Sequence, residues 1–178
     1  MKKILILVLS IALVVSGCSA NNANNSKPED ANIQETQNNQ TGKKPMMVPD
    51  FELESLDGSL IKLSETRDKY VILNFWYTGC PFCVKEMPDL QKLQEAYPDD
   101  LLLLTINVGE TKEIIQDFLE KNKLNLNVLL DKDMKVVSTY GIRSYPTTLA
   151  INKKGELVSA YKGMLTYEQM KQIYGFFE

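Results

Sequence analysis

The sequence predicts an α/β protein in which helices flank a mixed central β-sheet, with an extra N-terminal β-hairpin. Two observations support this fold class. Continuous apolar runs, typical of buried strands, alternate with segments whose apolar residues recur at three- and four-residue steps, as in helices. The series then closes with two more strands, joined by a turn at residues 152–155, and a last helix. Both parallel and antiparallel strand pairs are therefore expected in one layered domain.

The first predicted elements are the hairpin and the central strand. Residues 51–53 and 60–63 alternate apolar and polar side chains around Asp57 and Gly58, a pair that favours a tight turn. Residues 70–76 then form an almost uninterrupted apolar run. Such a run indicates a strand that is covered on both faces, and hence one in the middle of the sheet.

A helix is predicted to start soon after this strand, over residues 81–97. Pro81 suits its first position, because the missing N–H of proline costs nothing there. Pro88 lies inside the pattern and is expected to kink the helix. The apolar residues that define the buried face are Val84, Met87, Leu90, Leu93 and Tyr97.

The later elements follow from the same periodicities. Thr166 and Gln169 have the spacing of a capping box, which marks the start of the last helix. The buried face of that helix is predicted to consist of Met170, Ile173, Tyr174 and Phe177. The other predicted elements are strands over 101–108, 127–130, 147–151 and 156–161, and helical segments around 114–119 and 134–140.

Cys80 and Cys83 form a Cys-x-x-Cys pair at the junction between the central strand and the first helix. At that spacing two thiols can close a small disulfide ring. The dipole and the unpaired N–H groups at the start of a helix favour a thiolate, which is the form that attacks disulfides. Redox chemistry is the favoured interpretation. An inert structural disulfide and half of a zinc site are the alternatives.

Composition narrows the chemistry further. The chain has no histidine and only one other cysteine, Cys18, so the four nitrogen or sulfur ligands of a zinc site are lacking and no metal is expected. The missing histidine also removes Ser-His-Asp and Cys-His catalysis. A formal net charge of −3 gives no sign of nucleic-acid binding.

The N-terminal residues 1–17 are predicted to be a lipoprotein signal peptide. Two lysines precede an apolar run over residues 4–15, which has the length of a signal-peptide core and is too short to span a bilayer. Small residues and then Cys18 follow, which resembles the lipobox of bacterial lipoproteins, in which that cysteine is lipidated. The protein is therefore expected to be extracytoplasmic and anchored to the cell membrane. An ordinary cleaved signal with an incidental cysteine is the alternative.

Residues 18–45 are predicted to be a disordered tether that begins with lipidated Cys18. They are rich in Asn, Gln, Ser and Lys and lack aromatic residues and apolar periodicity. Such a segment cannot bury enough surface to offset its chain entropy. The folded domain is predicted to comprise residues 46–178.

The order of elements, with the Cys-x-x-Cys between a buried strand and a proline-containing helix, resembles a thioredoxin-like fold. The N-terminal hairpin, the lipoprotein anchor and the segment Asn74-Phe75-Trp76 make the likeness narrower. Together they are similar to the membrane-anchored TlpA/ResA-like thiol-disulfide oxidoreductases of the redoxin (AhpC-TSA) superfamily. The resemblance covers the whole predicted domain. It includes Tyr145-Pro146, which matches the family loop that carries a cis-proline opposite the disulfide.

The resemblance implies a role for each residue of the site. Cys80 would be the exposed nucleophile and Cys83 the buried resolving thiol of a redox-active disulfide. Backbone groups of Tyr145 would bind an extended substrate segment. Further substrate-binding residues implied by the resemblance are Trp76, Pro81, Phe82 and Pro146. Trp76 matches the family tryptophan that packs beside the active site, and it could equally be a core aromatic residue.

Glu86 is implied to be the proton acceptor of the site. ResA-like members carry a glutamate at this position, three residues after the second cysteine and on the same helix face. With a pKa raised by partial burial, it could take the proton from Cys83. An exposed glutamate without a catalytic role is the alternative. Asn74 stands where cytosolic thioredoxins keep a buried aspartate, and asparagine cannot accept that proton.

By resemblance, the protein is expected to be a lipid-anchored reductase of disulfides in exported proteins, for example in cytochrome c maturation. It would need a CcdA/DsbD-like membrane donor of thiol electrons and no cofactor. The alternatives are an oxidase that donates its disulfide and, among non-enzymes, an anchored binding module with a structural disulfide. Leu73 and Tyr77 stand where a peroxiredoxin-type peroxidase needs proline and threonine, and a Sco-type copper chaperone needs a histidine.

Overall fold

The structure is a computed structural model that describes residues 45–175. The predicted signal peptide, Cys18 and nearly all of the predicted tether lie outside the described residues, as does Phe177. The helices are α1 (Pro81–Ala96), α2 (Lys112–Asn122), α3 (Lys135–Thr139) and α4 (Tyr167–Gly175). The strands are β1 (Glu52–Glu54), β2 (Leu60–Lys62), β3 (Tyr70–Trp76), β4 (Leu101–Val108), β5 (Val128–Asp131), β6 (Thr147–Ile151) and β7 (Leu157–Lys162).

The described residues contain a five-stranded mixed sheet with the strand order β5-β4-β3-β6-β7. Strands β3, β4 and β5 are parallel, whereas β6 runs antiparallel to both β3 and β7. The predicted mixed sheet is therefore confirmed, and β3 is its central strand. In the register of β3 and β4, Trp76 lies opposite Asn107. The carboxyl ends of the parallel strands thus meet at one edge, and the chain leaves that edge to enter α1.

Each face of the sheet is covered by an apolar cluster, which explains the uninterrupted apolar run of β3. One cluster contains Ile72 and Trp76 with the buried faces of α1, α2 and α4. The other contains Leu73 and Phe75 with residues of α3 and the N-terminal segment. Successive side chains of a strand point to opposite faces, so a strand covered on both sides must be apolar at nearly every position.

The N-terminal segment contacts both edges of the sheet. Strands β1 and β2 form the predicted antiparallel hairpin, and Ser55 bridges to Leu129 of the edge strand β5. At the opposite edge, Met47 bridges to Glu156 directly before β7. The Leu157 N–H also donates to the carbonyl oxygen of Met46 at 2.8 Å.

The structure can be compared with the predictions for Pro88, for the start of α4 and for the start of β7. Pro88 lies within α1, which continues to Ala96. The capping box of α4 is confirmed, since the Thr166 N–H donates to Gln169 Oε1 at 2.8 Å and the Gln169 N–H donates to Thr166 Oγ1. Strand β7 starts one residue later than predicted, because the Glu156 N–H donates to Asn152 Oδ1 at 3.0 Å and Glu156 closes the preceding turn.

Candidate active site

Cys80 and Cys83 are joined by a disulfide at the carboxyl end of the central strand. Cys80 is the N-cap residue of α1, and Pro81 occupies the first helical position, as predicted. The Cys83 N–H donates to Cys80 Sγ across 3.1 Å. An unpaired N–H of a helix start therefore points at the first sulfur, where it would stabilise a thiolate after reduction.

The prediction that Cys80 is exposed is wrong for this disulfide form. Cys80 has 4% of its surface exposed and Cys83 has 1%, so Cys80 is only marginally the more accessible of the two. Both sulfurs belong to the apolar cluster that also contains Trp76 and Met87. Capping α1 turns the Cys80 side chain toward the helix and this cluster instead of toward solvent.

Exposed aromatic residues surround the buried disulfide. Phe82 is 64% exposed and Tyr77 is 38% exposed. The Tyr77 ring meets the half-buried Tyr145 ring edge to face, with 5.4 Å between the ring centres. Pro81 is exposed as well. These four side chains are named here the apolar rim of the site: Tyr77, Pro81, Phe82 and Tyr145.

The Tyr145–Pro146 peptide bond is cis. Pro146 is buried, and its carbonyl oxygen accepts a hydrogen bond from the Gly163 N–H at 2.8 Å. The Tyr77 ring therefore brings the start of β6 beside the turn that precedes Cys80. The cis bond that the sequence resemblance implies for this loop is therefore present.

Trp76 lies under the site instead of on its surface. Its ring is fully buried and lies 5.4 Å from the Phe118 ring of α2, measured between ring centres. The indole Nε1 has no hydrogen-bond partner in the described part of the chain. Trp76 therefore supports the disulfide from below and offers no surface to a substrate in this form.

Glu86 is buried on α1, with 1% of its surface exposed. The alternative of a solvent-exposed glutamate is therefore excluded. Its Oε1 accepts a hydrogen bond from the Leu165 N–H at 3.3 Å, whereas Oε2 has no partner among the described residues. Burial is the main effect that raises the pKa of Glu86. Hydrogen bonds from the Leu165 amide and the Asn74 side chain lower it, the charge of Asp89 raises it, and the net pKa is about 7.

Asn74 is buried in the middle of β3, where its side-chain amide donates to Thr148 Oγ1 of β6 at 3.0 Å. This amide does not ionise at neutral pH, so it cannot accept the proton of a thiol. Glu86, one helical turn beyond Cys83, is a buried group whose pKa of about 7 lets it gain or lose a proton near neutrality.

The contacts of Glu110 at the site were not predicted from the sequence. Glu110, two residues after the end of β4, accepts hydrogen bonds from Thr78 and from Asn107. The available signal was the placement of two polar residues at the carboxyl end of a buried strand. Because carboxyl ends of parallel strands share an edge, these residues had to lie near the turn before Cys80.

Residues 45–175 lack both a metal-binding cluster and a membrane-spanning helix. This region holds no group of three or more His, Cys, Asp and Glu side chains that could bind a metal ion. Its helices are all too short or too polar to cross a bilayer.

Comparisons with known proteins agree with this geometry. Residues 46–160 match the AhpC/TSA family, and residues 1–19 match the prokaryotic membrane lipoprotein lipid attachment site. The thiol-disulfide oxidoreductase ResA of Halalkalibacterium halodurans is 37% identical over 123 residues, which cover 68% of this chain and 70% of that protein.

Solved structures show the same fold. The crystal structure of StoA from Bacillus subtilis matches with a TM-score of 0.65 and 30% identity, covering 73% of this chain and 99% of that one. The pneumococcal exposed lipoprotein thioredoxin from Streptococcus pneumoniae matches with a TM-score of 0.62 and 33% identity. This match covers 71% of this chain and 99% of that one. The predicted thioredoxin-like fold is therefore confirmed.

The lipoprotein attachment site makes the protein an extracytoplasmic, membrane-anchored one. A Cys-x-x-Cys disulfide capping the first helix of a thioredoxin fold, in a chain with these relatives, is the site of a thiol-disulfide oxidoreductase. The chain belongs to the AhpC/TSA family, within its ResA-like thiol-disulfide oxidoreductases.

Proposed function

We propose that the protein is a reductase that passes two electrons from its Cys80–Cys83 dithiol to disulfides of exported proteins. The observation that carries this direction is the burial of Glu86 one helical turn beyond Cys83. A buried carboxylate opposes a second negative charge nearby, so it disfavours a stable thiolate. Strongly oxidising members of the fold stabilise the thiolate of their reduced form. The buried Glu86 carboxylate opposes such stabilisation and therefore favours a reductase.

The proposed cycle begins with reduced enzyme. The Cys80 thiolate attacks one sulfur of a substrate disulfide, the substrate S–S bond breaks, and the first substrate thiolate leaves. Cys83 then gives its proton to Glu86 and attacks Cys80 Sγ. The mixed disulfide breaks, the second substrate thiolate leaves and takes up a proton, and the enzyme ends as the Cys80–Cys83 disulfide. Two electrons have passed to the substrate.

The rim around the disulfide supports binding of an extended apolar segment. Phe82 and Tyr77 present aromatic surface to solvent, and Tyr145 stands beside them at the start of β6. Backbone groups of Tyr145 would align the substrate segment, and the rim side chains would contact residues beside its cysteine. Apocytochrome c is one substrate of this kind, consistent with the ResA-like relatives.

The oxidised enzyme must be reduced again outside the cytosol. We infer a membrane protein of the CcdA/DsbD-like class as the electron donor, because the lipid anchor keeps the enzyme at the membrane surface. Residues 1–17 would be removed, Cys18 would carry the lipid, and residues 18–45 would tether the domain of residues 46–178.

Substitution of the lipidated cysteine tests the anchor. Cells fed labelled palmitate are expected to label the wild type and a Ser19→Ala control, whereas Cys18→Ser takes up no label. The lipid is attached through the sulfur of that residue, so serine cannot carry it. Label on the Cys18→Ser protein would contradict the anchoring at residue 18.

The reduction potential of the cysteine pair tests the direction of electron flow. The lipidated full chain, in detergent, is equilibrated with thiol buffers of graded potential. Its only tryptophan, Trp76, shares a cluster with both cysteines and reports the redox state by fluorescence. We expect a potential of about −250 mV or lower, as for reductases of this fold.

Other outcomes identify the alternatives. A potential between about −120 and −180 mV would assign the protein to the disulfide-donating oxidases. A pair that thiol buffers cannot reduce reversibly would instead support an anchored binding module with a structural disulfide.

A further inference from the structure

One carboxylate ties the turn before Cys80 to the end of strand β4. Glu110 Oε2 accepts a hydrogen bond from the Thr78 N–H at 2.8 Å, and Glu110 Oε1 accepts one from the Thr78 hydroxyl at 2.5 Å. The side-chain amide of Asn107 donates to Glu110 Oε2 at 2.7 Å. Three donors therefore converge on one side chain, which is only partly buried.

The residue that Glu110 holds belongs to the turn that sets the position of the nucleophile. The Cys80 N–H donates to the Tyr77 carbonyl oxygen at 3.2 Å, so Thr78 and Gly79 are the two central residues of this turn. A Cβ atom at residue 79 would lie 3.3 Å from the Tyr77 ring, so the turn is packed closely under that ring. Fixing Thr78 therefore fixes the direction in which the chain enters Cys80.

The other end of this connection is rigid. Asn107 is 1% exposed, lies in β4, and pairs in register with Trp76 of β3 and Leu130 of β5. Its Oδ1 has no hydrogen-bond partner among the described residues. An unpaired buried acceptor is unfavourable, so the contact of the amide nitrogen with Glu110 must determine the orientation of this side chain.

We propose that Glu110 is a positioning residue for thiol-disulfide exchange. By holding Thr78 against the end of β4, it keeps the turn in the conformation that places Cys80 Sγ against the Cys83 N–H. Without it, the sulfur loses its fixed place at the start of α1, where the helix stabilises the thiolate. This inference rests on the exchange chemistry proposed above and is independent of the direction of electron flow.

Two substitutions of Glu110 separate geometry from charge. Glu110→Ala removes all three hydrogen bonds. Glu110→Gln can keep them, because its oxygen can accept from both N–H groups while its NH2 group donates to the Thr78 hydroxyl, which also accepts. Thr78→Val removes the hydroxyl contact alone and keeps the backbone N–H.

The experiment uses the reduced, lipidated full chain in detergent. Exchange with oxidised glutathione is followed by Trp76 fluorescence, and the pKa of the Cys80 thiol is measured from the pH dependence of its alkylation by iodoacetamide. Glu120→Ala serves as the control, because it removes an exposed glutamate from the same part of the chain. The wild type is measured first, and its failure to exchange would refute the proposed function itself.

We expect Glu110→Ala to slow exchange by about 10- to 100-fold and to raise the pKa of the Cys80 thiol, since a misplaced reacting group loses rate steeply. Thr78→Val should show a smaller change in the same direction. Glu110→Gln and Glu120→Ala should keep both quantities near those of the wild type.

The opposite results would overturn the proposal. An active wild type with unchanged exchange and thiol pKa in Glu110→Ala would show that the contact is only structural. Equal shifts in Glu110→Gln and Glu110→Ala would assign the effect to charge instead of position. If Glu110→Ala does not fold, a Thr78→Val protein that matches the wild type in both quantities would refute the positioning role.

Discussion

Replacing Cys83 with serine is expected to leave the protein covalently joined to its substrate through Cys80. The first attack needs only the Cys80 thiolate, which the Cys83 N–H and the start of α1 stabilise through the backbone. Release needs a second thiol, and serine cannot supply it. A membrane fraction of cells that express Cys83→Ser, run on a non-reducing gel, should therefore show mixed disulfides that collapse on reduction.

The matched substitution at the other cysteine should behave differently. Cys80→Ser removes the nucleophile, so exchange is expected to fall by on the order of 10³-fold or more, with no mixed disulfides. The order of attack proposed above would be wrong if Cys80→Ser accumulated them and Cys83→Ser did not. In that case the more deeply buried sulfur would have to act first.

Replacing Glu86 with glutamine is expected to slow the release step by roughly 100-fold at neutral pH, the usual contribution of a positioned general base. In the wild type, the rate of release should rise with pH as Glu86 ionises, and level off above its pKa of about 7. Glu86→Gln should lose this inflection. Single-turnover release from a preformed mixed disulfide measures the step directly.

The same substitution should change how stability depends on pH. The pKa of Glu86 is about 7 in the folded protein, whereas its ordinary value is 4.5. The folded state therefore binds this proton more tightly than the unfolded state does. The free energy of unfolding should therefore fall as pH rises from about 4.5 to about 7, by up to roughly 3 kcal/mol. Glu86→Gln has no charge to bury and should remove this part of the dependence.

Glu95→Gln is the control for both measurements, because Glu95 is exposed on the same helix. Denaturation at pH 5 and at pH 8 compares the oxidised proteins. A Glu86→Gln protein that keeps the wild-type pH profile of release would rule out Glu86 as the proton acceptor. A retained pH dependence of stability would show that folding does not raise the pKa of Glu86.

Much of the fold could be predicted from the sequence where one physical requirement dominated a segment. Strand β3 and strand β4 match their predicted bounds, because strands covered on both faces must be continuously apolar. The first residue of β7 was harder to predict, because a hydrogen bond to the side chain of Asn152 determines where the strand begins. Local apolar patterns carry no information about such a polar contact.

The site was predictable where the sequence pattern itself fixes the geometry. The Cys-x-x-Cys spacing and the absence of histidine indicate the disulfide, and Pro81 indicates the helix start. The burial of Cys80 depends on an apolar cluster drawn from several elements, and Glu110 binds Thr78 from 32 positions away in the sequence. Spacing along the chain does not reveal contacts of that kind.

The N-terminal segment affects how copies of this protein can pair when they are anchored to the same membrane. Proteins confined to one membrane meet their own copies at high local concentration, and open sheet edges are templates for pairing between copies. The bridges of Ser55 to β5 and of Met47 to the start of β7 occupy part of both edges. The stretch of chain that leads into the domain thereby shortens the open edges at which two copies could pair.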